Sequence, residues 1–367
     1  MPKNIAIVTM TEGFNLGNSL QNYALQKVLK ELHFNPYTLI SSDNYFHTNK
    51  SILTLFKKNT FKRIIGFLIN YNNFRNYIFE ISKKKLIYKN FDKYIQFKQI
   101  KNSDLALISS EFDFFIAGSD QIWNPEYRVS NFDFLTFAPY HKRVAYAASF
   151  GIKNIPEHLK LKYKNWLEGI KHISVREEAG VDIIQELTDR KPELLVDPTL
   201  LLNKQEWINI MQKPSFQIPN KYILVYFLGK KDNYINECIK KLSESRKIDI
   251  VDIFDKNNDY VYRIGPAEFI YLIANAEFVF TDSFHGTIFS IIFTKQFIVA
   301  QRNEKIDMSS RLNTLLQRFA LSSRYIKDLN DYNNIINTKV NFENSRYILK
   351  KEYQKSEIYL KNALNIK

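Results

Sequence analysis

The sequence predicts an α/β protein built from two doubly wound, Rossmann-like domains that face each other across a cleft. Short β-branched and aromatic runs alternate with amphipathic stretches in two successive series, and a polar segment with two prolines, residues 203–220, separates the series. Several apolar runs also lead directly into polar loops followed by helices, which is typical of parallel sheets. We therefore expect domains at 1–203 and 204–330, and a charged helical tail at 331–367.

Length and composition agree with this architecture. A chain of 367 residues is long enough for two domains of about 150 residues each, and 45% of its residues are hydrophobic. The single cysteine, Cys238, excludes an internal disulfide framework and a cysteine zinc site. The first residues carry too short an apolar run for a signal peptide, and no run of about 18 apolar residues follows. We expect a cytoplasmic protein without a spanning segment.

The net charge of +14 is concentrated in one region of the first domain. Between Lys50 and Lys101, thirteen lysines and arginines stand against Glu80 and Asp92, and apolar residues interleave with the charges. This pattern predicts a basic helical insertion at about 45–101. It is either a solvated insertion or a surface, at about 50–101, that docks on anionic lipid at the inner face of the cell membrane. Nucleic acid is a third alternative, but no zinc-finger, KH or RRM pattern supports it, and we expect no nucleic-acid partner.

The first strand is predicted at Ile5–Thr9, followed by the loop TEGFNLGNS and a helix from about Ser19 to Leu32. This loop matches neither the dinucleotide-binding GxGxxG pattern nor a P-loop. Asn18 and Gln21 are at the predicted helix start, above the sheet edge, where side chains reach a ligand. Capping and solvation would also explain them.

Two further predicted strands of the first domain end in polar residues. Phe112–Ala117 runs directly into GSDQIWNP, which contains Asp120 and Gln121. Asp120 could be a base, a ligand of a hydroxyl group, or a helix cap. The strand Val144–Ala148 is followed by Ser149. Because ligands bind at the carboxyl ends of strands in open α/β sheets, these side chains are candidates for a binding site.

Arg176 follows directly on the predicted strand His172–Val175. A guanidinium group at this position can bind a carboxylate or phosphate through two parallel hydrogen bonds. The alternative is an ion pair with Glu177 or Glu178.

The second domain carries a strand-to-helix turn with a histidine at its centre. Glu277–Thr281 reads as a buried strand, Asp282 and Ser283 are N-cap residue types, and an apolar helix continues from Gly286 to Phe293. His285 therefore lies where a helix N-terminus favours an anion. It could transfer a proton beside a bound phosphate or carboxylate, or it could only cap the helix.

The remaining elements complete the second domain and the tail. Ser309 and Ser310 are predicted to cap a helix that opens on Arg311, whose guanidinium either contacts a ligand or is exposed. The other predicted elements are strands at Tyr222–Leu228, Ile248–Phe254 and Phe297–Ala300, helices at Asn233–Ser245 and Pro266–Asn275, and a tail helix at Phe342–Leu364.

A set of ordered motifs resembles the polysaccharide pyruvyl transferases. The motifs, in chain order, are NLGNSLQNYALQ, GSDQIWNP, YAASFG, SVREE, VDPTLLL, GPAEFIYLIANAEFVFTDSFHGTIFSIIF and SSRLNTLL. They cover roughly residues 4–320 and leave out the basic region and the tail. This family is similar in fold to the two-domain glycosyltransferases called GT-B, so the resemblance implies a GT-B-like fold.

The resemblance also implies a reaction, the transfer of a pyruvyl ketal from phosphoenolpyruvate to two hydroxyls of a sugar. The acceptor would be a surface polysaccharide or its lipid-linked precursor. We expect no cofactor and no metal, since phosphoenolpyruvate is a substrate and the sequence has no HExxH or comparable cluster. The alternatives are a GT-B glycosyltransferase that uses a sugar nucleotide and a non-catalytic, membrane-associated scaffold of polysaccharide assembly.

The candidate residues take roles in this scheme. His285 is expected to protonate the enol carbon, and Asp120 to accept a hydroxyl proton. The other candidates bind the two substrates. For the donor these are Arg176, Arg311, Ser283, Gly286 and Thr287, and for the acceptor Asn18, Gln21, Ser149 and Gln121.

Overall fold

The structure, a computed structural model, describes residues 2–11, 14–41, 71–255, 257–301 and 309–366. Two parallel sheets form its framework. Within the described residues the first sheet has seven strands in the order β3-β2-β1-β4-β5-β6-β7, and the second has five in the order β12-β11-β10-β8-β9. The strands are β1 (Asn4–Val8), β2 (Asn35–Ser41), β3 (Phe97–Ile100), β4 (Phe114–Gly118), β5 (Arg143–Ala148), β6 (His172–Val175), β7 (Glu193–Leu194), β8 (Tyr222–Tyr226), β9 (Asp249–Asp252), β10 (Phe278–Thr281), β11 (Gln296–Ala300) and β12 (Tyr325–Ile326).

Helices follow most of these strands and cover the sheets. They are α1 (Leu16–Glu31), α2 (Tyr71–Asp92), α3 (Leu105–Glu111), α4 (Glu157–Glu168), α5 (Glu178–Thr188), α6 (Lys204–Ile208), α7 (Asn233–Arg246), α8 (Tyr260–Arg263), α9 (Pro266–Asn275), α10 (Phe284–Ile292), α11 (Ser310–Arg318), α12 (Leu329–Ile335) and α13 (Glu343–Ala363). The prediction of two doubly wound α/β units is confirmed.

The central strands are buried on both faces, which explains their nearly continuous apolar sequences. Along β1, Ile5 and Ile7 pack into one hydrophobic core, while Ala6 and Val8 pack into another. Side chains alternate between the faces of a strand, so each strand of this sheet serves two cores. The core that holds Ile5 also holds Leu224 of β8. One apolar core therefore runs from the first sheet to the second and fixes how their carboxyl ends face each other.

Helix α1 begins at Leu16, three residues before the predicted start. The side chain of Asn15 causes the earlier start, because its Oδ1 accepts hydrogen bonds from the backbone nitrogens of Gly17 (2.9 Å) and Asn18 (3.2 Å). Asn15 is thus the N-cap. Asn18 and Gln21 lie inside the helix rather than at its open end.

The basic insertion is described only in part, since residues 42–70 lie outside the described residues. Tyr71–Asp92 forms helix α2. The predicted helical insertion does not extend to residue 101, because Phe97–Ile100 is strand β3, paired with β2 at the edge of the first sheet. Within FKQI, Gln99 is exposed and Ile100 is buried, because successive side chains of a strand point to opposite faces.

The C-terminal helix α13 returns to the first sheet. Tyr359 Oη donates a 2.7 Å hydrogen bond to the backbone oxygen of Ala145, and Lys355 Nζ donates to the backbone oxygen of Leu194 at 3.1 Å. The chain therefore crosses between the two sheets twice, once before β8 and once before α13. No helix in the described ranges is long and apolar enough to cross a membrane.

Candidate active site

A polar cavity of about 140 Å³ lies between the carboxyl ends of the two sheets. The first sheet contributes the loops after β1 and β4, and the second contributes the residues after β8, β10 and β11. The lining residues are Asn15, Gly17, Asp120, Gln121, Tyr127, Tyr226, Leu228, Asp282, Ser283, Phe284, His285, Gln301, Ser309, Arg311, Leu312 and Tyr325.

His285 lies in the first turn of α10 and forms part of the cavity wall. Ser283 caps this helix, because its Oγ accepts from the backbone nitrogen of Gly286 at 3.3 Å. The residue is only 7% exposed. Its Nε2 lies 3.6 Å from Asp197 Oδ2 and has no hydrogen-bond partner among the described residues. A histidine on one sheet thus faces a carboxylate on the other.

The other ring nitrogen of His285 faces the N-terminal turn of α1. A methyl group added at Gly17 would lie 2.0 Å from Nδ1, far inside van der Waals contact. Gly17 is therefore a position where the backbone must approach closely, and only glycine leaves room for the imidazole. This contact between distant parts of the chain was not predicted.

Arg176 is completely enclosed by partners from the first sheet and by one aromatic ring of the second. Its Nη1 donates to Asp197 Oδ2 at 2.6 Å and its Nη2 donates to Asp120 Oδ1 at 2.8 Å. The guanidinium carbon also lies 4.4 Å from the ring centroid of Phe284. Burial alone would lower the pKa of Arg176, but Asp120 and Asp197 raise it above its ordinary value.

This partner set differs from both alternatives considered for Arg176. The ion pairs go to Asp120 and Asp197, not to Glu177 or Glu178, and Arg176 is not part of the cavity wall. Its geometry suits holding two carboxylates in place rather than binding a substrate anion directly.

Asp197 connects the two sheets and was not among the predicted site residues. Its Oδ1 accepts from the backbone nitrogen and the hydroxyl of Thr199, and its Oδ2 accepts from Ser119 Oγ at 2.9 Å as well as from Arg176. Burial alone would raise the pKa of Asp197, but His285, Arg176 and Thr199 lower it well below its usual range. Asp197 is therefore a carboxylate at neutral pH.

Arg311, at the start of α11, is the buried cation that opens on the cavity. It is 9% exposed, and within the described ranges no carboxylate lies within ion-pair distance of it. With its oxygen turned toward Arg311, the amide of Gln121 accepts from both Nη atoms at 3.3 Å. Burial, together with the neighbouring Arg176, lowers the pKa of Arg311 to about 10, so the group remains charged at pH 7.

Only one of the three remaining donor-side candidates reaches the cavity. Ser283 lies in its wall. Gly286 faces the strand instead, because a Cβ there would lie 2.6 Å from Thr281 Oγ1. Thr287 is fully buried and donates to the backbone oxygen of Ser283 at 3.0 Å. Gly286 and Thr287 therefore pack and cap α10, outside the cavity wall.

The acceptor-side candidates are also mostly buried behind the wall. Gln121 lines the cavity, but Asn18, Gln21 and Ser149 do not. Gln21 Nε2 donates to Thr9 Oγ1 at 2.8 Å, and Ser149 Oγ donates to Glu177 Oε1 at 2.9 Å. Asn18 Oδ1 and Gln21 Oε1 have no hydrogen-bond partner among the described residues, but both side chains are buried outside the cavity wall.

Asp120 reaches the cavity from the turn after β4. Its backbone φ is +53°, in the left-handed region, and the backbone nitrogen of Ser149 donates to its carbonyl oxygen at 3.0 Å. This conformation turns the side chain toward Arg176 and the cavity, which agrees with the prediction that it lies at a strand end. In the part of the chain that the structure describes, no three His, Cys, Asp or Glu side chains come together to hold a metal ion.

The fold and the interdomain cavity define a GT-B-like protein. Three solved structures of this kind are similar to it. A putative UDP-N-acetylglucosamine 2-epimerase from Listeria monocytogenes has a TM-score of 0.51 at 11% identity and covers 96% of this chain and 91% of its own. S. aureus MnaA in a co-structure with UDP has a TM-score of 0.51 at 10% identity, covering 100% and 98%. A glycosyltransferase from Rickettsia africae has a TM-score of 0.51 at 14% identity, covering both chains fully.

The family is shown by the sequence rather than by these distant structures. The family model for polysaccharide pyruvyl transferase matches residues 15–302, most of the chain. The chain belongs to the polysaccharide pyruvyl transferase family. No curated protein matches it.

Proposed function

We propose that this protein transfers the pyruvyl group of phosphoenolpyruvate to two hydroxyls of a sugar, as a cyclic ketal. The observation that carries the proposal is the pair His285 and Arg311, an imidazole and a guanidinium group that open together on one small cavity. Membership of a transferase family supports the reaction class. The sugar would belong to a surface polysaccharide or its lipid-linked precursor.

The cavity suits a small dianionic donor. Phosphoenolpyruvate carries a phosphate and a carboxylate in a small volume, and Arg311 supplies a buried positive charge without a carboxylate partner among the described residues. The N-terminus of α10, capped by Ser283, adds a second anion-binding element. Arg176 keeps Asp120 and Asp197 in place and acts as a positioning residue.

His285 is placed to act as the proton donor. Asp197 Oδ2 lies 3.6 Å from its Nε2, Gly17 lies against its Nδ1, and His285 and Gly17 both line the cavity. A histidine can give up a proton near pH 7. The proton would go to the methylene carbon of the enol and convert it into a methyl group.

The remaining steps follow from that protonation. One sugar hydroxyl bonds to the neighbouring carbon as its proton passes to a base, for which Asp120 at the cavity wall is the candidate. The carbon–oxygen bond to phosphate breaks, and inorganic phosphate leaves with the bonding electron pair. The second hydroxyl then bonds to the same carbon and loses its proton, which closes the ketal ring.

A sugar-nucleotide glycosyltransferase is the competing proposal, because S. aureus MnaA has this fold with UDP. Cavity size favours the smaller donor. Sites for drug-sized ligands usually occupy about 300–1,000 Å³, whereas this cavity measures about 140 Å³. A non-catalytic scaffold is disfavoured because a scaffold gains nothing from keeping Arg311 buried without a carboxylate partner among the described residues, which is costly.

A coupled assay in D₂O tests the proposal. Purified protein is incubated with phosphoenolpyruvate and a panel of sugar acceptors, and inorganic phosphate and proton NMR spectra are recorded. We expect phosphate release that requires the acceptor, together with a ketal methyl group carrying one deuterium, because the new hydrogen comes from an exchangeable donor. Turnover of a sugar nucleotide without consumption of phosphoenolpyruvate would overturn the proposal.

A further inference from the structure

The acceptor sugar lacks a binding surface inside the cavity. Asn18, Gln21 and Ser149 are buried behind its wall, and the cavity itself has room only for a small donor. A sugar that reacts with this donor must therefore bind at the mouth of the cavity. The residues at the mouth decide which acceptors fit.

Tyr127 forms the part of the mouth that belongs to the first sheet. Its side chain is 52% exposed although it lines the cavity, and its backbone nitrogen is held by the carbonyl oxygen of Asn124 at 3.1 Å. Its Oη lies 3.5 Å from the terminal atom of the Gln121 amide that faces Arg311. Gln121 thus lies between Tyr127 and Arg311, the residue that is proposed to bind phosphoenolpyruvate.

Leu228 forms the part of the mouth that belongs to the second sheet. It follows β8 and is 48% exposed while also lining the cavity. The buried carboxylate of Asp282 accepts from the backbone nitrogens of Leu228 and Gly229, both at 2.7 Å. This loop is therefore fixed, and its exposed apolar side chain has a defined position.

We propose that Tyr127 and Leu228 form the acceptor subsite, in which a hexopyranose ring lays its apolar C–H face on the Tyr127 ring. Pyranose sugars combine an apolar face with polar edges, and a half-exposed tyrosine combines an apolar ring with a polar tip. Two walls from opposite sheets hold the sugar so that its hydroxyls point into the cavity. This inference rests on the proposed function and deepens it by assigning the acceptor site.

The test compares Tyr127→Ala with Tyr140→Ala, because Tyr140 is 53% exposed on the same domain but does not line the cavity. We expect Tyr127→Ala to raise the KM for the acceptor about tenfold or more, which is the loss of binding usually seen when an aromatic residue at an interface is replaced by alanine. The KM for phosphoenolpyruvate should be unchanged. Tyr127→Phe should retain the wild-type acceptor KM. Leu228→Ala should raise the acceptor KM by a smaller factor.

Saturation-transfer NMR with methyl hexopyranosides and their 2-acetamido counterparts, without phosphoenolpyruvate, measures acceptor binding separately. Loss of this signal in Tyr127→Ala but not in Tyr140→Ala supports the subsite even if the donor is a different compound. Equal signals and equal acceptor KM values in the two alanine variants would overturn the subsite. That outcome, in protein that still consumes phosphoenolpyruvate, would leave the proposed reaction intact.

Discussion

The two sides of the cavity differ in how their charges are compensated. On the side of the first sheet, Arg176 contacts Asp120 and Asp197, and each hydrogen bond is 2.8 Å or shorter. On the side of the second sheet, Arg311 has no carboxylate partner among the described residues, and the Nε2 of His285 has no hydrogen bond there. The charges of the first side form a closed network of ion pairs, whereas the second side presents Arg311 to the cavity without a carboxylate partner among the described residues. Stability should therefore depend on the first side, and donor binding on the second.

The largest expected effect is on turnover. His285→Gln should lower kcat about 10²–10⁴-fold, the usual contribution of a general acid, and leave the thermal unfolding midpoint close to that of the wild type. Steady-state phosphate release and circular dichroism measure the two quantities. Full activity in this variant would show that His285 does not donate the proton.

Breaking the closed network should destabilise the protein. Arg176→Met leaves Asp120 and Asp197 buried without their shared cation, which costs about 3–5 kcal/mol in the free energy of unfolding. Urea denaturation followed by circular dichroism measures this loss. If the variant is as stable as the wild type, the closed network does not stabilise this side of the cavity.

The same substitution on the other side provides the matched comparison. Arg311→Met should raise the KM for phosphoenolpyruvate by a factor that corresponds to about 1.5–3 kcal/mol of charged hydrogen bonding. Its free energy of unfolding should fall by far less than that of Arg176→Met, because no carboxylate partner in the described ranges is left behind. An unchanged donor KM would remove Arg311 from the binding site.

The close approach of Gly17 to His285 can be tested across the two sheets. Gly17→Ala should force the imidazole away from its position and lower kcat by a factor that corresponds to about 1–3 kcal/mol of overpacking. In the His285→Gln background the same change should have a clearly smaller effect on kcat, since neighbouring residues are not additive. Equal effects in both backgrounds would contradict a direct contact.

The smallest expected effect concerns the described end of the basic region. Lys85, Lys89 and Lys93 are exposed at four-residue spacing, and Leu86 beside them is 60% exposed. If this face docks on anionic lipid, replacing the three lysines by glutamate should reduce co-sedimentation with phosphatidylserine vesicles. Each lysine near such a surface contributes about 1 kcal/mol to the free energy of membrane binding. Replacing the exposed Lys240 on α7 is the control. Wild-type protein that fails to bind at low salt would refute membrane docking through this face.

Much of the secondary structure could be predicted, because the residues that determine it are local in the sequence. Pro266 at the first helical position predicted helix α9 with both ends correct, and Ser283, one of two residues with N-cap chemistry in the predicted turn, caps α10. Local signals also placed His285 and Asp120 after strands, where the cavity lies. Strand β3 was missed because its four residues lie in the lysine-rich region, which as a whole favours a helix.

The pairing inside the site could not be predicted, because its causes are not local. Arg176 pairs with carboxylates 56 and 21 residues away, while two glutamates directly follow it in the sequence. The contact between Gly17 and His285 joins the two domains, and the local sequence around each residue does not indicate it. Whether a polar side chain faces a substrate or another side chain depends on such partners.

The double crossing of the chain between the sheets limits how the cavity can open. A body attached at two points rotates about the line that joins them, so the second sheet should swing as a unit about an axis through the segment before β8 and the segment before α13. His285 and Arg311 are carried by the same rotating body. A rotation would therefore separate His285 from Asp197 and Arg311 from Gln121 in one movement.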